Sequence, residues 1–267
     1  MKYRYFFIFR FEKELSTYFE LIRRVNPSLF FRISMFKLST WKKVSFCILA
    51  SLAFKSVHAE YIVVDTGHTP LHAGATGASG RVEYLYNLDM SSALAKDLTT
   101  SGDRVSRTSA DGKEIILQER STKAPDADLF ISIHHDSMPQ EWIDAGRRRE
   151  FAGYSIFVSP KNTHYDQSLN CAKKIGEQML AIGEKPSLYH ATPIAGENRP
   201  LIDKRLGVHQ YDDLIVLKTA PIPAVLVEIG VIANPDEELR LSKPDTIGRI
   251  AHAIVVGIHN CQTPKVE

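Results

Sequence analysis

Cysteine and tryptophan are scarce: three and two in 267 residues. So few thiols exclude a disulfide-dense scaffold or a four-cysteine metal cage. Cys47 falls in a segment expected to be removed. Cys171 and Cys261 then remain, either as two buried free thiols or as one bridge, and sequence alone leaves both open. Long hydrophobic runs are also missing. The apolar stretch 44–54 is shorter than the roughly 20 residues a membrane-spanning helix needs. There is no internal repeat, no low-complexity tract and no appended binding module, and Arg147-Arg148-Arg149 is the sole dense basic run after residue 59.

What is present begins with export chemistry. Residues 35–59 read as a secretory signal peptide. Lys37, Lys42 and Lys43 form its basic start, 44–54 its apolar centre, and Val57-His58-Ala59 a small-residue cleavage site. Residues 1–34 lie upstream of this complete signal and are expected to be an extended or spurious N-terminus; a membrane-associated extension is the alternative. Phe46 before Cys47 is not the small residue that a lipid-anchoring cleavage site needs. Without residues 1–59 the chain loses 11 of its 33 Lys and Arg but only 3 of its 31 Asp and Glu, leaving 22 basic against 28 acidic residues. That net charge of −6 argues against a nucleic-acid partner. Residues 60–267 suit one well-cored domain, exported to the periplasm and, once the signal is cleaved, without a stable membrane anchor.

Hydrophobic periodicity predicts strands at 61–65, 103–108, 128–134, 154–159, 214–217 and 224–228, and helices at 83–100, 113–123, 167–182 and 246–259. Alternation of this kind implies a single-domain α/β fold. Its expected form is a mixed, largely parallel twisted sheet flanked by helices on both faces. Ligands of such sheets collect beyond the carboxyl ends of the strands. His68, His134 and Glu228 fall at those ends.

Two imidazoles and a carboxylate are the ligand set of a catalytic zinc site that leaves one position for water, with a second carboxylate available as base. Glu83, after the glycine-rich stretch from Gly74, is a fourth candidate. Singly, each residue has an ordinary structural explanation, such as Glu83 facing the positive end of a helix dipole. Their joint placement points to a hydrolase.

Four ordered motifs sharpen this: VDTGH, GATGASGRVE, DLFISIHHD and PAVLVEIGVIANPDEE. In order and spacing they resemble the zinc-dependent N-acetylmuramoyl-L-alanine amidases of the type-3 amidase family, over nearly all of the expected mature chain. The resemblance implies one catalytic zinc held by His68, Glu83 and His134, with Glu228 as general base and acid. It further implies a peptidoglycan or muropeptide substrate, cleaved at the amide between muramic acid and L-alanine. Some family members carry an inhibitory helical insertion that an activator protein must move. Strand 154–159 reaches the next helix too soon to hold one, so no activator is expected. The alternatives are a zinc peptidase acting on stem peptides, although the HExxH pairing of common zinc peptidases is missing, and a non-catalytic wall-binding protein.

Neighbouring residues carry weaker expectations. Asp65 is a candidate to orient His68 as a second carboxylate, or else to cap the following turn. His135 should point away from His134, His72 should be a solvated loop residue, and Arg120 should form a structural ion pair. Glu237 and Glu238 read as helix-start residues. Trp142, Ile143 and Phe151, interleaved with Arg147 to Arg149, suggest either a lid or an ordinary solvated helix. Thr69-Pro70 and Asp136 depart from the family pattern, which has glycines after the first histidine and asparagine at the latter position.

Overall fold

A computed structural model gives the fold, and it describes residues 59–262 other than Ala195. The expected signal peptide, save Ala59, and the 1–34 extension lie outside those residues. A seven-stranded sheet runs in the order β2-β1-β3-β7-β4-β6-β5. Its strands are β1 (Tyr61–Thr66), β2 (Arg104–Thr108), β3 (Leu129–Asp136), β4 (Ser155–Val158), β5 (Leu201–Asp203), β6 (Val208–Gln210) and β7 (Ala224–Val231). β2, β1, β3 and β7 are parallel, whereas β4 pairs antiparallel with β7 and β5 antiparallel with β6. The expected mixed, largely parallel sheet is what the chain forms.

The two faces of the sheet are covered unequally. On one, Ile62, Val64, Ile131, Ile133, Val225 and Val227 pack against three long helices: α1 (Glu83–Ser101), α3 (Tyr165–Ala181) and α6 (Pro244–Gln262). Period-2 alternation puts Val63, Phe130, Ala224 and Leu226 on the other face, where the short helix α4 (Ile215–Lys218) supplies Val216 and Leu217. Two further short helices, α2 (Gln140–Asp144) and α5 (Pro235–Leu241), follow β3 and β7. Among the described residues no helix is long and apolar enough to cross a membrane.

Local chemistry sets the ends of the elements. Gly102, at φ 101°, closes α1 by donating its N–H to Thr99 O at 3.1 Å, and the Asp103 N–H returns to Leu98 O at 3.1 Å. Asn234 caps α5, its side chain accepting from the Asp236 N–H at 3.0 Å, with Pro235 at the first helical position.

Two expectations need correction, and one open question is answered. The segment expected as a helix over 113–123 forms only a 3-10 turn at Leu117–Glu119. Tertiary partners compete for its side chains: Glu114 accepts from Thr69 Oγ1 at 2.6 Å, and Arg120 turns into the interior toward Asp65. The run expected as a strand at 214–217 is helix α4. Asn162 Nδ2 satisfies the carbonyls around that helix's end, donating to Leu217 O at 2.8 Å and Ile222 O at 3.2 Å. Of the two states left open for Cys171 and Cys261 the structure has the bridge, with Cα atoms 4.8 Å apart, tying α3 to α6.

Candidate active site

His68, Glu83 and His134 converge at the carboxyl ends of β1 and β3. Glu83 opens α1 and is only 4% exposed. Its Oε1 lies 3.1 Å from His134 Nδ1, and its Oε2 lies 3.1 Å from His68 Nε2. Three further donors hold the carboxylate: Asn87 Nδ2 at 3.0 Å, the Ala75 N–H at 3.0 Å and the His135 N–H at 3.3 Å. Burial alone would raise the Glu83 carboxyl, but hydrogen bonds to His134 and His68, and their charge, hold it well below the usual carboxylate range. Burial pulls His68 down, and the hydrogen bond and charge of Glu83 carry it above its ordinary value.

The backbone is shaped around this cluster. His68 sits at φ 68°, in the left-handed region that costs a side-chain-bearing residue about 1–2 kcal/mol. Arg120 holds it there, donating from Nη2 to His68 O at 3.0 Å and from Nη1 to Thr66 O at 2.9 Å. Gly67 and Gly74 leave no room for a side chain. A Cβ at Gly67 would overlap the His134 ring, and one at Gly74 would overlap the Glu83 carboxylate and the His68 ring. The backbone at Gly67 and at Gly74 thus forms a tight wall.

Glu228 stands beside His134 in the parallel register of β3 and β7. Its Oε2 is buried, with no hydrogen-bond partner among the described residues. Burial first, and then the charges of Asp136, Glu83 and Glu197, push this carboxyl well above the ordinary range. A cavity of about 590 Å³ opens from the cluster along the thinly covered face, lined by His68, His134, Ile116, Leu117, Ile215 and Val216 among others.

Asp65 does not orient His68. Its carboxylate is consumed by Thr108 Oγ1 and Ser132 Oγ, each at 2.7 Å, and by Arg120 Nη1 at 3.0 Å. It reaches His68 only through Arg120, which is the structural ion pair expected of that arginine. His135 turns away from the cluster, and its ring meets Asn87 Oδ1 at 2.8 Å. Burial pushes it down to about 3, so it is neutral. His72 is exposed, as expected, and pairs with Glu114 at 3.2 Å. Glu238 does more than face a helix dipole: it accepts from the Ser79 N–H and Oγ and from Tyr86 Oη, pinning the glycine-rich loop. Trp142 stacks on Phe151 with ring centres 4.4 Å apart, and both touch Tyr189.

Sequence reasoning missed a second polar group here. Asp136, Tyr189, His190 and Glu197 hydrogen-bond to one another beside Glu228. Only Asp136 had drawn notice, as a departure; nothing local marks His190.

Donor chemistry suits a metal ion, and the donors lie close enough to one another to share one. One ligand atom from each of His68, Glu83 and His134 lies within 4.8 Å of the others, against about 3.4 Å between ligands of a tetrahedral zinc with bonds near 2.1 Å. The fold and cluster define an α/β domain able to hold a metal at the carboxyl ends of parallel strands. Residues 62–260 match the Amidase_3 family, N-acetylmuramoyl-L-alanine amidase, and the chain belongs to it. It is 27% identical over 212 residues to the probable cell wall amidase LytH of Staphylococcus epidermidis, spanning 78% of this chain but 60% of that protein's length. The N-acetylmuramyl-L-alanine amidase Ami1 from Mycobacterium smegmatis superposes with a TM-score of 0.62 at 22% identity, covering 77% of this chain and 97% of that one. The CwlD amidase from Clostridioides difficile, solved in complex with the GerS lipoprotein, gives 0.58 at 22% identity and covers 76% and 98%. At those identities the solved structures speak for the fold.

Proposed function

We propose that this chain is an exported zinc amidase that hydrolyses the bond between N-acetylmuramic acid and L-alanine in peptidoglycan. The observation that carries this reading is the convergence of His68, Glu83 and His134 next to Glu228 in a member of the amidase family. Zinc held by those three residues would supply Lewis acidity toward the amide carbonyl and toward the attacking water. Glu228 takes the proton from that water and returns it to the leaving amine. A group that must both accept and give back a proton works best with a pKa near the working pH, and burial moves Glu228 in that direction. Asn87 and the Ala75 and His135 amides keep Glu83 fixed, so that the site need not reorganise as the reaction proceeds.

The domain plan belongs to the same proposal: residues 1–34 an extended or spurious N-terminus, 35–59 a cleaved signal, 60–267 the catalytic domain in the periplasm. The Cys171–Cys261 bond supports it, because such bonds persist in oxidising compartments. Activity should need no partner protein, since the connection 159–164 between β4 and α3 is too short to carry a blocking helix.

The test is mass spectrometry of peptidoglycan digested by the purified domain. Stem peptides beginning at L-alanine should appear with zinc and vanish with chelator. Glu228→Gln should keep zinc and lose at least about 100-fold in kcat. Cleavage within the stem peptide, or activity that appears only when a partner protein is added, would contradict the corresponding part of the reading.

A further inference from the structure

Glu238 on α5 is only 6% exposed, and neither metal binding nor proton transfer uses it. A carboxyl group buried so far needs hydrogen-bond partners. It accepts from the Ser79 N–H at 2.8 Å, from Ser79 Oγ at 2.7 Å and from Tyr86 Oη. All three donors belong to one loop and the helix it leads into. That loop is a tight hairpin: Thr76 pairs with Val82 across it, and the Gly77 N–H donates to Arg81 O at 2.8 Å. Its tip rests on the segment after β7, where the Ala78 N–H donates to Ile232 O at 3.0 Å. Its base holds Glu83 from both sides, the Glu83 N–H donating to Ala75 O at 2.8 Å and Glu83 Oε2 accepting from the Ala75 N–H at 3.0 Å.

One carboxylate therefore grips the hairpin tip before Glu83 and, through Tyr86, the helix three residues after it. It does so from α5, which follows the strand that carries Glu228. Gly77 is fitted to the same contact: a Cβ there would overlap Glu238 Oε1, although its φ lies outside the left-handed region. A methyl at Gly77 thus meets an obstacle and no backbone strain. We propose that Glu238 is a positioning residue for Glu83: it locks the hairpin and the start of α1 onto α5, so that the Glu83 carboxylate is in place before a metal arrives. This rests on the reading that Glu83 holds zinc. Without Glu238, part of the binding energy of the metal would go into ordering the loop, and the loss would appear as weaker zinc binding.

The experiment measures zinc affinity by competition with a chromogenic chelator, and amide hydrogen exchange of the metal-free proteins by NMR. Glu238→Ala should bind zinc about tenfold more weakly, the low end for groups that orient metal ligands. Gly77→Ala should do the same by displacing the carboxylate. The two together should be no more than about twofold worse than Glu238→Ala, because the methyl then has nothing to displace. In metal-free Glu238→Ala, exchange at the Ser79 and Ala75 amides should quicken at least about tenfold while the amides of β3 stay as in wild type. Affinity within about twofold of wild type in Glu238→Ala overturns the proposal. So does a double variant in which the two losses multiply to about 100-fold, or exchange that quickens equally in β3, which marks a general loss of stability. Ser79 is exposed, so Ser79→Ala serves if Glu238→Ala does not fold: about threefold weaker zinc binding is expected for one lost bond, and unchanged affinity overturns the proposal. If the wild type binds no zinc, the reading of Glu83 as a ligand fails instead, and exchange at Ala75 still decides whether Glu238 braces the loop.

Discussion

Cutting the Cys171–Cys261 bond should be costly, and its size follows from chain length. The bond closes a loop of 90 residues. In the chain-entropy description, releasing such a loop in the unfolded state gains it about 15 cal/mol/K, or about 4.6 kcal/mol at 25 °C. A domain of roughly 200 residues has an unfolding entropy of about 0.4 kcal/mol/K near its midpoint, so the thermal midpoint should fall by about 11 °C. Cys171→Ser with Cys261→Ser is the clean perturbation, with α3 and α6 still packed through Ile175, Ile254 and Ile258. Scanning calorimetry of both proteins, with thiol titration to establish the redox state of the wild type, provides the measurement. A fall under about 3 °C from a fully oxidised wild type would refute the reasoning, because the loop would then contribute little to the unfolded ensemble. The same numbers predict that the domain made in a reducing compartment is the less stable form.

Asp65→Ala leaves the buried Arg120 guanidinium without its counter-ion, which should cost about 3–5 kcal/mol of stability by denaturant titration. A loss under about 1 kcal/mol would remove the ion pair from the fold's supports. Gly74→Ala should weaken zinc binding, read by competition with a chromogenic chelator, since the new methyl overlaps Glu83 and His68; unchanged affinity would mean that the wall yields. Stability should peak near pH 6.5 and fall on both sides. His190 is raised in the fold, so its contribution is complete below its unfolded value of 6.5 and fades as pH climbs through about 9. His209 and His135 are depressed to about 4 and about 3, so stability also falls as pH drops below 6.5 and the unfolded chain gains protons there first. Thermal midpoints from pH 5 to 10 that show no alkaline decline, or an equal decline in His190→Gln, would contradict the assignment.

The sheet was legible because its strands announce themselves as apolar runs that end in chemistry, as at His134 and Glu228. The site was legible for the same reason: strand ends gather on one edge whatever the connections do. Less legible were segments whose conformation is decided by distant partners. Nothing within 113–123 reveals that Glu114 will be taken by Thr69 and Arg120 by Asp65, so its helical periodicity misled. The run 214–217 is too short for periodicity to separate strand from helix. Asp65 looked like a partner for His68 from its spacing, but its oxygens were claimed by three other elements. The His190–Asp136 contact joins residues 54 positions apart, beyond any local signal.

The wall around His68, Glu83 and His134 has a dynamic consequence. The segment that carries His68 also contains the two glycines that abut His134 and Glu83. It cannot swing outward without disturbing the packing of His68, Glu83 and His134. Across the cavity, Ile116 and Leu117 stand 60% and 46% exposed, at the cap and first residue of the 3-10 turn Leu117–Glu119. The backbone beside His68, Glu83 and His134 is closely packed, and the rim across the cavity is exposed.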